Sequence, residues 1–169
     1  MRQKGPDEER RFGLIDKTGM EVVSLIYDYM IPHMGTPGVY LGVCGDRTDI
    51  IDCGRVVGHI KGFYRVHPTD RYISAECGGE NIPYSGRAAR GGKEALFDLS
   101  GKMILPPRYE SVRPQGDFAG VRDGGKWGVV GLPGGNLIVP LIYDAIGMFD
   151  EEGYAIARYD DDSFVIHID

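Results

Sequence analysis

The sequence predicts an all-β fold made of tandem antiparallel β-hairpin units, about three strands each, stacked in an open twisted array. Three observations carry this reading. One unit recurs through most of the chain, the apolar runs are too short and too regularly interrupted for helices, and glycine supplies 26 of 169 residues, about twice its usual share.

The unit is clearest in 96–112 (LFDLSGKMILPPRYESV) and 127–146 (WGVVGLPGGNLIVPLIYDAI). A third copy opens the chain at 12–30, a worn one runs over 49–66, and 164–169 begins a fifth. Each copy starts with an apolar run ending in Asp: Leu14-Ile15-Asp16, Ile50-Ile51-Asp52, Leu96-Phe97-Asp98. A Gly-containing turn follows, in which Asp folds back on the backbone two residues on and Gly supplies a positive φ. A second apolar run comes next (Val22-Val23, Val56-Val57, Ile104-Leu105, Ile138-Val139), then an aromatic–acid corner: Tyr27-Asp28, Tyr109-Glu110, Tyr143-Asp144. The distance from Asp to Tyr is 11 residues in the first and third copies, a hairpin's spacing and not a helix period.

Between these hairpins lies an alternating aromatic strand, led by Tyr40, Tyr72, Phe118 and Tyr154. The turn residues predict that 118–122 pairs with 127–130 and that 154–158 pairs with 164–168. Pro106 and Pro140 are expected where strands end, since proline has no N–H to donate. A lone hairpin cannot bury its apolar face, so the units must stack. A small propeller-like closure is the alternative arrangement. Residues 1–10 are expected to be a flexible segment and 11–169 a single domain of about four and a half repeats.

The stretch 126–162 resembles the bacterial WG repeat, whose pattern runs Trp-Gly-apolar-apolar-Asp, then Gly, apolar-Pro and Tyr-Asp. Trp127-Gly128, Pro140 and Tyr143-Asp144 match it directly. Phe12-Gly13 stands for Trp-Gly in the first copy and Glu94-Ala95 in the third, while the second lacks the Trp, the Pro and the corner acid. The resemblance implies a β-rich scaffold and supplies no catalytic residues. Trp127 is expected in the core, and the corners are expected to form a repeated hydrogen bond or a solvated turn.

Composition is that of a soluble globular protein, at 42% hydrophobic and 26% charged. The charged start and the lack of a long apolar stretch predict neither signal peptide nor membrane span. Cys44, Cys53 and Cys77 are too sparse for a disulfide framework, so reduced thiols and a cytoplasmic location are expected. Residues 144–169 hold eight acidic side chains and one basic, within a net charge of −6. That field disfavours nucleic acid and suits a basic protein partner.

Function is sought where the repeat is broken. Three copies use about four residues between aromatic strand and next apolar run; the third uses sixteen, 78–93. Insertions in repeat arrays fall as loops on one face. This one carries Tyr84, Arg87, Arg90 and Lys93, and these are the candidate partner-binding residues, with Glu151 and Asp161 in the acidic turns. Neither Cys-x-x-Cys nor a nucleophile elbow, zinc helix or dinucleotide fingerprint is present, and no cofactor or metal is expected. Cys44 and Cys53 could oppose one another across a hairpin, and Cys77 with His67 would make a nucleophilic pair only if folding joined them. The sequence therefore favours a non-catalytic protein-binding scaffold, such as a small cytoplasmic inhibitor of the immunity type. A hydrolase with a site assembled between repeats is the alternative.

Overall fold

The computed structural model describes residues 10–69, 71–79 and 91–168. They form strands only, in five small antiparallel sheets, none closed into a barrel. β1 (Phe12–Ile15) and β2 (Glu21–Tyr27) make the first sheet. β3 (Tyr29–Pro32), β4 (Val39–Cys44), β5 (Arg47–Asp52) and β6 (Arg55–Lys61) make the second. β7 (Arg65–Pro68), β8 (Ile73–Cys77), β9 (Lys93–Phe97) and β10 (Met103–Tyr109) make the third. β11 (Ser111–Gln115), β12 (Phe118–Asp123), β13 (Lys126–Gly131) and β14 (Leu137–Tyr143) make the fourth. β15 (Ala145–Ile146), β16 (Tyr154–Tyr159) and β17 (Asp162–His167) make the last. Every sheet is a meander, each strand beside its neighbour in sequence.

The sequence repeat and the sheet are out of phase by half. A repeat's apolar hairpin, such as β9–β10, supplies the third and fourth strands of one sheet. After the corner the chain enters the next sheet as its first strand, and the aromatic strand is that sheet's second. The repeat thus has one strand more than the three expected, because the residues after each corner (29–32, 65–68, 111–115) are themselves laddered onto the aromatic strand. The predicted hairpins form: Arg122 faces Trp127 and Phe118 faces Gly131, while Tyr154 faces His167 and Arg158 faces Ser163.

The Trp-Gly position has its own geometry. In three copies the ladder jumps by the same step: Phe12 faces Tyr27 but Leu14 faces Val23, Glu94 faces Tyr109 but Leu96 faces Leu105, and Trp127 faces Tyr143 but Val129 faces Val139. The partner strand bulges there. Pro106 and Pro140 lie inside this bulge within β10 and β14, not at strand ends as the sequence suggested; a bulge leaves a residue unpaired, so a missing N–H costs nothing. In the second copy, where Asp49 replaces the glycine, β5 and β6 pair without a break from Arg47 to Ile50.

Each pair of adjacent sheets shares one apolar cluster. Val23 and Tyr27 meet Ile51 between the first and second sheets. Leu41, Ile50 and Ile60 meet Ile73, Ala75 and Phe97 between the second and third. Leu96, Leu105 and Tyr109 meet Ala119, Val121 and Val130 between the third and fourth. Trp127, Val129 and Val139 meet Ala155, Ala157 and Ile168 between the fourth and last. Among the buried polar side chains, Asp49 is paired as burial demands, whereas His33 and the Ser74 hydroxyl have no hydrogen-bond partner among the described residues. The Tyr27 hydroxyl and Arg47 Nη2 each donate to Asp49 Oδ2 at 3.0 Å, and burial together with that carboxylate pushes the phenol up to about 12.

Candidate binding surface

Strand direction collects the second-to-third-strand turns and the sheet-to-sheet corners on one rim of the array. The remaining turns lie on the opposite rim. On the first rim the corner acids do identical work. The backbone N–H groups of Asp28, Glu110 and Asp144 donate to the carbonyls of Val43, Arg122 and Arg158. Their carboxylates accept from the next turn: Gly45 N–H at 2.8 Å, Gly124 N–H at 3.3 Å and Asp160 N–H at 2.8 Å. Cations complete the pattern, with Arg11 paired to Asp28, Lys126 to Asp144 at 2.8 Å and Arg122 Nε 3.6 Å from Glu110. The Lys126 ammonium, and then the Asp160 N–H, hold the Asp144 carboxyl below its usual range.

The second copy keeps the corner but reverses its polarity. Tyr64 stands at the acid's place; its N–H donates to the Glu76 carbonyl, and its hydroxyl donates to the Gly78 carbonyl at 2.8 Å. Burial and the Glu76 carboxylate push this phenol up to about 12. Glu76 is buried and faces Glu94 across the β8–β9 ladder. Arg65 lies 3.6 Å from Glu76, and Glu94 Oε2 accepts the Val112 N–H at 2.6 Å. Burial raises the Glu94 pKa, Val112 works against it and the Glu76 charge adds to it.

A raised folded-state pKa makes the folded protein hold a proton that the unfolded chain releases. Stability from Glu94 is then present below the unfolded value of 4.5 and lost as pH rises through the folded one. Glu94→Gln keeps an acceptor for Val112 and removes the charge. It is expected to raise the urea midpoint at neutral pH and to leave it unchanged well below pH 4.5, as measured by equilibrium unfolding at the two conditions.

A repeated corner acid, a Trp-Gly bulge and apolar–Asp–Gly hairpins are therefore physically one motif. The family model described as WG containing repeat matches residues 12–32, 96–127 and 133–161. Those three segments are WG repeats. The stretch those matches leave out includes the second copy, where bulge and corner acid are both replaced. No curated protein matches the chain. Among solved structures it is similar to apo AztD from Citrobacter koseri, at 12% identity and a TM-score of 0.37 over 78% of this chain and 43% of that one. The chain thus spans less than half the length of that structure.

Within this WG repeat frame the sequence-predicted residues fall in three places. Lys93 opens β9 on the first rim and pairs with Asp123 of the next sheet. Asp161 is exposed on the same rim, in the β16–β17 turn. Glu151 is exposed on the opposite rim, in a turn where Asp150 Oδ1 accepts the Glu152 and Tyr154 N–H groups at 3.0 and 2.9 Å. That turn repeats those of Asp16 and Asp98, whose Oδ1 atoms accept from Thr18 and Ser100. Tyr84, Arg87 and Arg90 lie outside the described residues, as do 1–9 of the expected flexible start.

Beside Lys93 the sequence reading missed Phe63, Tyr64 and Asp46, which with Gly45 and Gly62 line an open hollow on the first rim. The signal was present: Tyr64 aligns with the corner acids and departs from them. The cysteines form no disulfide. Cys44 faces Arg47 at one end of the β4–β5 hairpin, whereas Cys53 lies just past the other end. His67 faces Ser74 and Cys77 faces Lys93, three positions apart along β8. All three thiols are free, as the sparse cysteines suggested, and none is fully buried.

Proposed function

We propose that this protein is a non-catalytic scaffold that binds another protein through its corner rim, with the 78–93 segment as recognition element. One observation carries the reading. The rim's bonding is regular at three corners and changes at the fourth, beside the inserted segment. There Tyr64 fixes Gly78 at one end of the insertion, and Lys93 is held by Asp123 at the other. A fixed base under a basic-aromatic insertion lowers the ordering cost of binding. Tyr84, Arg87 and Arg90 supply stacking area and guanidinium forks that suit an acidic segment of the partner. Asp161, exposed on the same rim, suits a basic region of it, whereas Glu151 lies on the opposite rim and stands outside this interface. A small inhibitor of the immunity type is the finer form of this reading.

Gly78 and Gly79 have φ of 70° and 68°, beside 56° and 79° at Gly124 and Gly125. Removing 80–92 leaves Cys77-Gly78-Gly79-Lys93, the same two-residue turn that joins Asp123 to Lys126. The deleted protein is expected to keep its circular dichroism and unfold cooperatively. It should lose the protein that the full chain captures from its host, quantified by calorimetry with the purified pair. Unchanged affinity in the folded deletion variant would overturn the proposal.

A further inference from the structure

The two end sheets expose positions that every inner sheet buries. Counting from the start of each third strand, Val165 occupies the place of Ile50, Leu96 and Val129. Those three are 0% exposed against the following sheet, and Val165 is 71% exposed. Ile156 occupies the place of Leu41, at 65% against 0%. Tyr154, in the place of Val39 and Phe118, is exposed on the same face. At the other end Ile15 occupies the place of Ile51, Phe97 and Val130. These are 0–5% exposed against the preceding sheet, and Ile15 is 70% exposed. The outer faces of the last and first sheets are therefore the two sides of one inner junction.

We infer that the outer face of the last sheet docks on the outer face of the first sheet of a second copy, continuing the stack from chain to chain. Charge selects this head-to-tail contact over a symmetric one. The last sheet is bordered by Asp160, Asp161 and Asp162 on the corner rim and by Asp150, Glu151 and Glu152 on the other. Two such faces brought together would set these acids against each other. The first sheet has Arg10 and Arg11 at its corner-rim end. Stacked in the register of an inner junction, where the corner-rim ends of adjacent sheets touch through Lys93 and Asp123, the Asp160–Asp162 turn meets this basic end. Such a contact is heterologous, so a joined pair keeps one free face of each kind, and it grows into a ring or an open string.

The test is sedimentation of the 169-residue chain across a wide concentration range at low and high salt, with Val165→Lys and Ile15→Lys as separate variants. Both positions are exposed, so the monomer's core is untouched. The unchanged chain should rise above monomer mass with concentration, more weakly at high salt, and each variant alone should stay monomeric. An equimolar mixture of the two retains one intact face on each variant and should yield one-to-one dimers and nothing larger. A chain that stays monomeric at all concentrations would overturn the inference. So would variants that associate as the unchanged chain does, or a mixture that remains monomeric.

Discussion

Gly128→Val is expected to lower stability by about 3 kcal/mol, read as a fall in the urea midpoint at unchanged slope. A Cβ on Gly128 would lie 2.6 Å from the Val139 carbonyl oxygen and 3.0 Å from Leu141 N and the Pro140 carbonyl carbon. All three are backbone atoms of the bulge, so no rotamer change relieves the clash. Strand β13 must move away from β14, which opens the ladder on both sides of Trp127. The first copy has the same constraint, with a Cβ on Gly13 placed 2.4 Å from the Val23 oxygen. The third copy shows how much can be accommodated: Ala95 occupies the site with the same ladder step. A single methyl is tolerated after local adjustment, and a branched side chain exceeds it. Gly120→Ala is the control, because its Cβ would meet nothing closer than 3.9 Å. Its cost is expected to stay within about 1 kcal/mol. If Gly128→Val unfolds at the same urea concentration as the parent, the glycine is not required by the bulge.

The glycine's role explains what the sequence made legible and what it hid. Hairpin pairings were readable because turn residues fix them locally: Asp123-Gly124-Gly125-Lys126 allows essentially one register. Sheet membership was not. Between β2 and β3 only Asp28 intervenes, and nothing in Tyr27-Asp28-Tyr29 says that the chain leaves one sheet for the next. That choice is made by packing, with Tyr27 buried against Ile51 and Asp49 of the second sheet. The position of Pro140 was misread for a related reason. Proline at a strand end and proline in a bulge satisfy the same missing donor, and only the ladder distinguishes them. The rim was half legible. The acid of each corner stood out by repetition, whereas its partners are turn N–H groups that carry no sequence mark. Tyr64 could have been found as the one corner without an acid, but its bond to Gly78 depends on where the inserted segment leaves the sheet.

Trp127→Ala should remove about 3–5 kcal/mol, and the loss should be felt first in the last sheet. The indole is buried in the cluster with Phe149, Ile146, Ala155 and Ala157, and β15–β17 meets the rest of the chain chiefly through that layer. Arg113 lies over the ring at 4.1 Å to its centre, a contact of about 0.5–1 kcal/mol or more that also fixes the ring against β11. From the last sheet and its loop, Ile146, Phe149 and Ile168 share this layer with Ala155 and Ala157, and the indole packs in the same cluster. Removing it leaves a cavity that neither alanine can collapse into. Hydrogen exchange should therefore show β16 and β17 losing protection while β4, β5, β8 and β9 keep theirs, since their clusters do not include the indole. Phe12 occupies the same repeat position but is half exposed at the first sheet, so Phe12→Ala should cost well under half as much. Uniform loss of protection across all five sheets in Trp127→Ala would mean that the array unfolds as one unit, and that the tryptophan serves the whole stack instead of one junction.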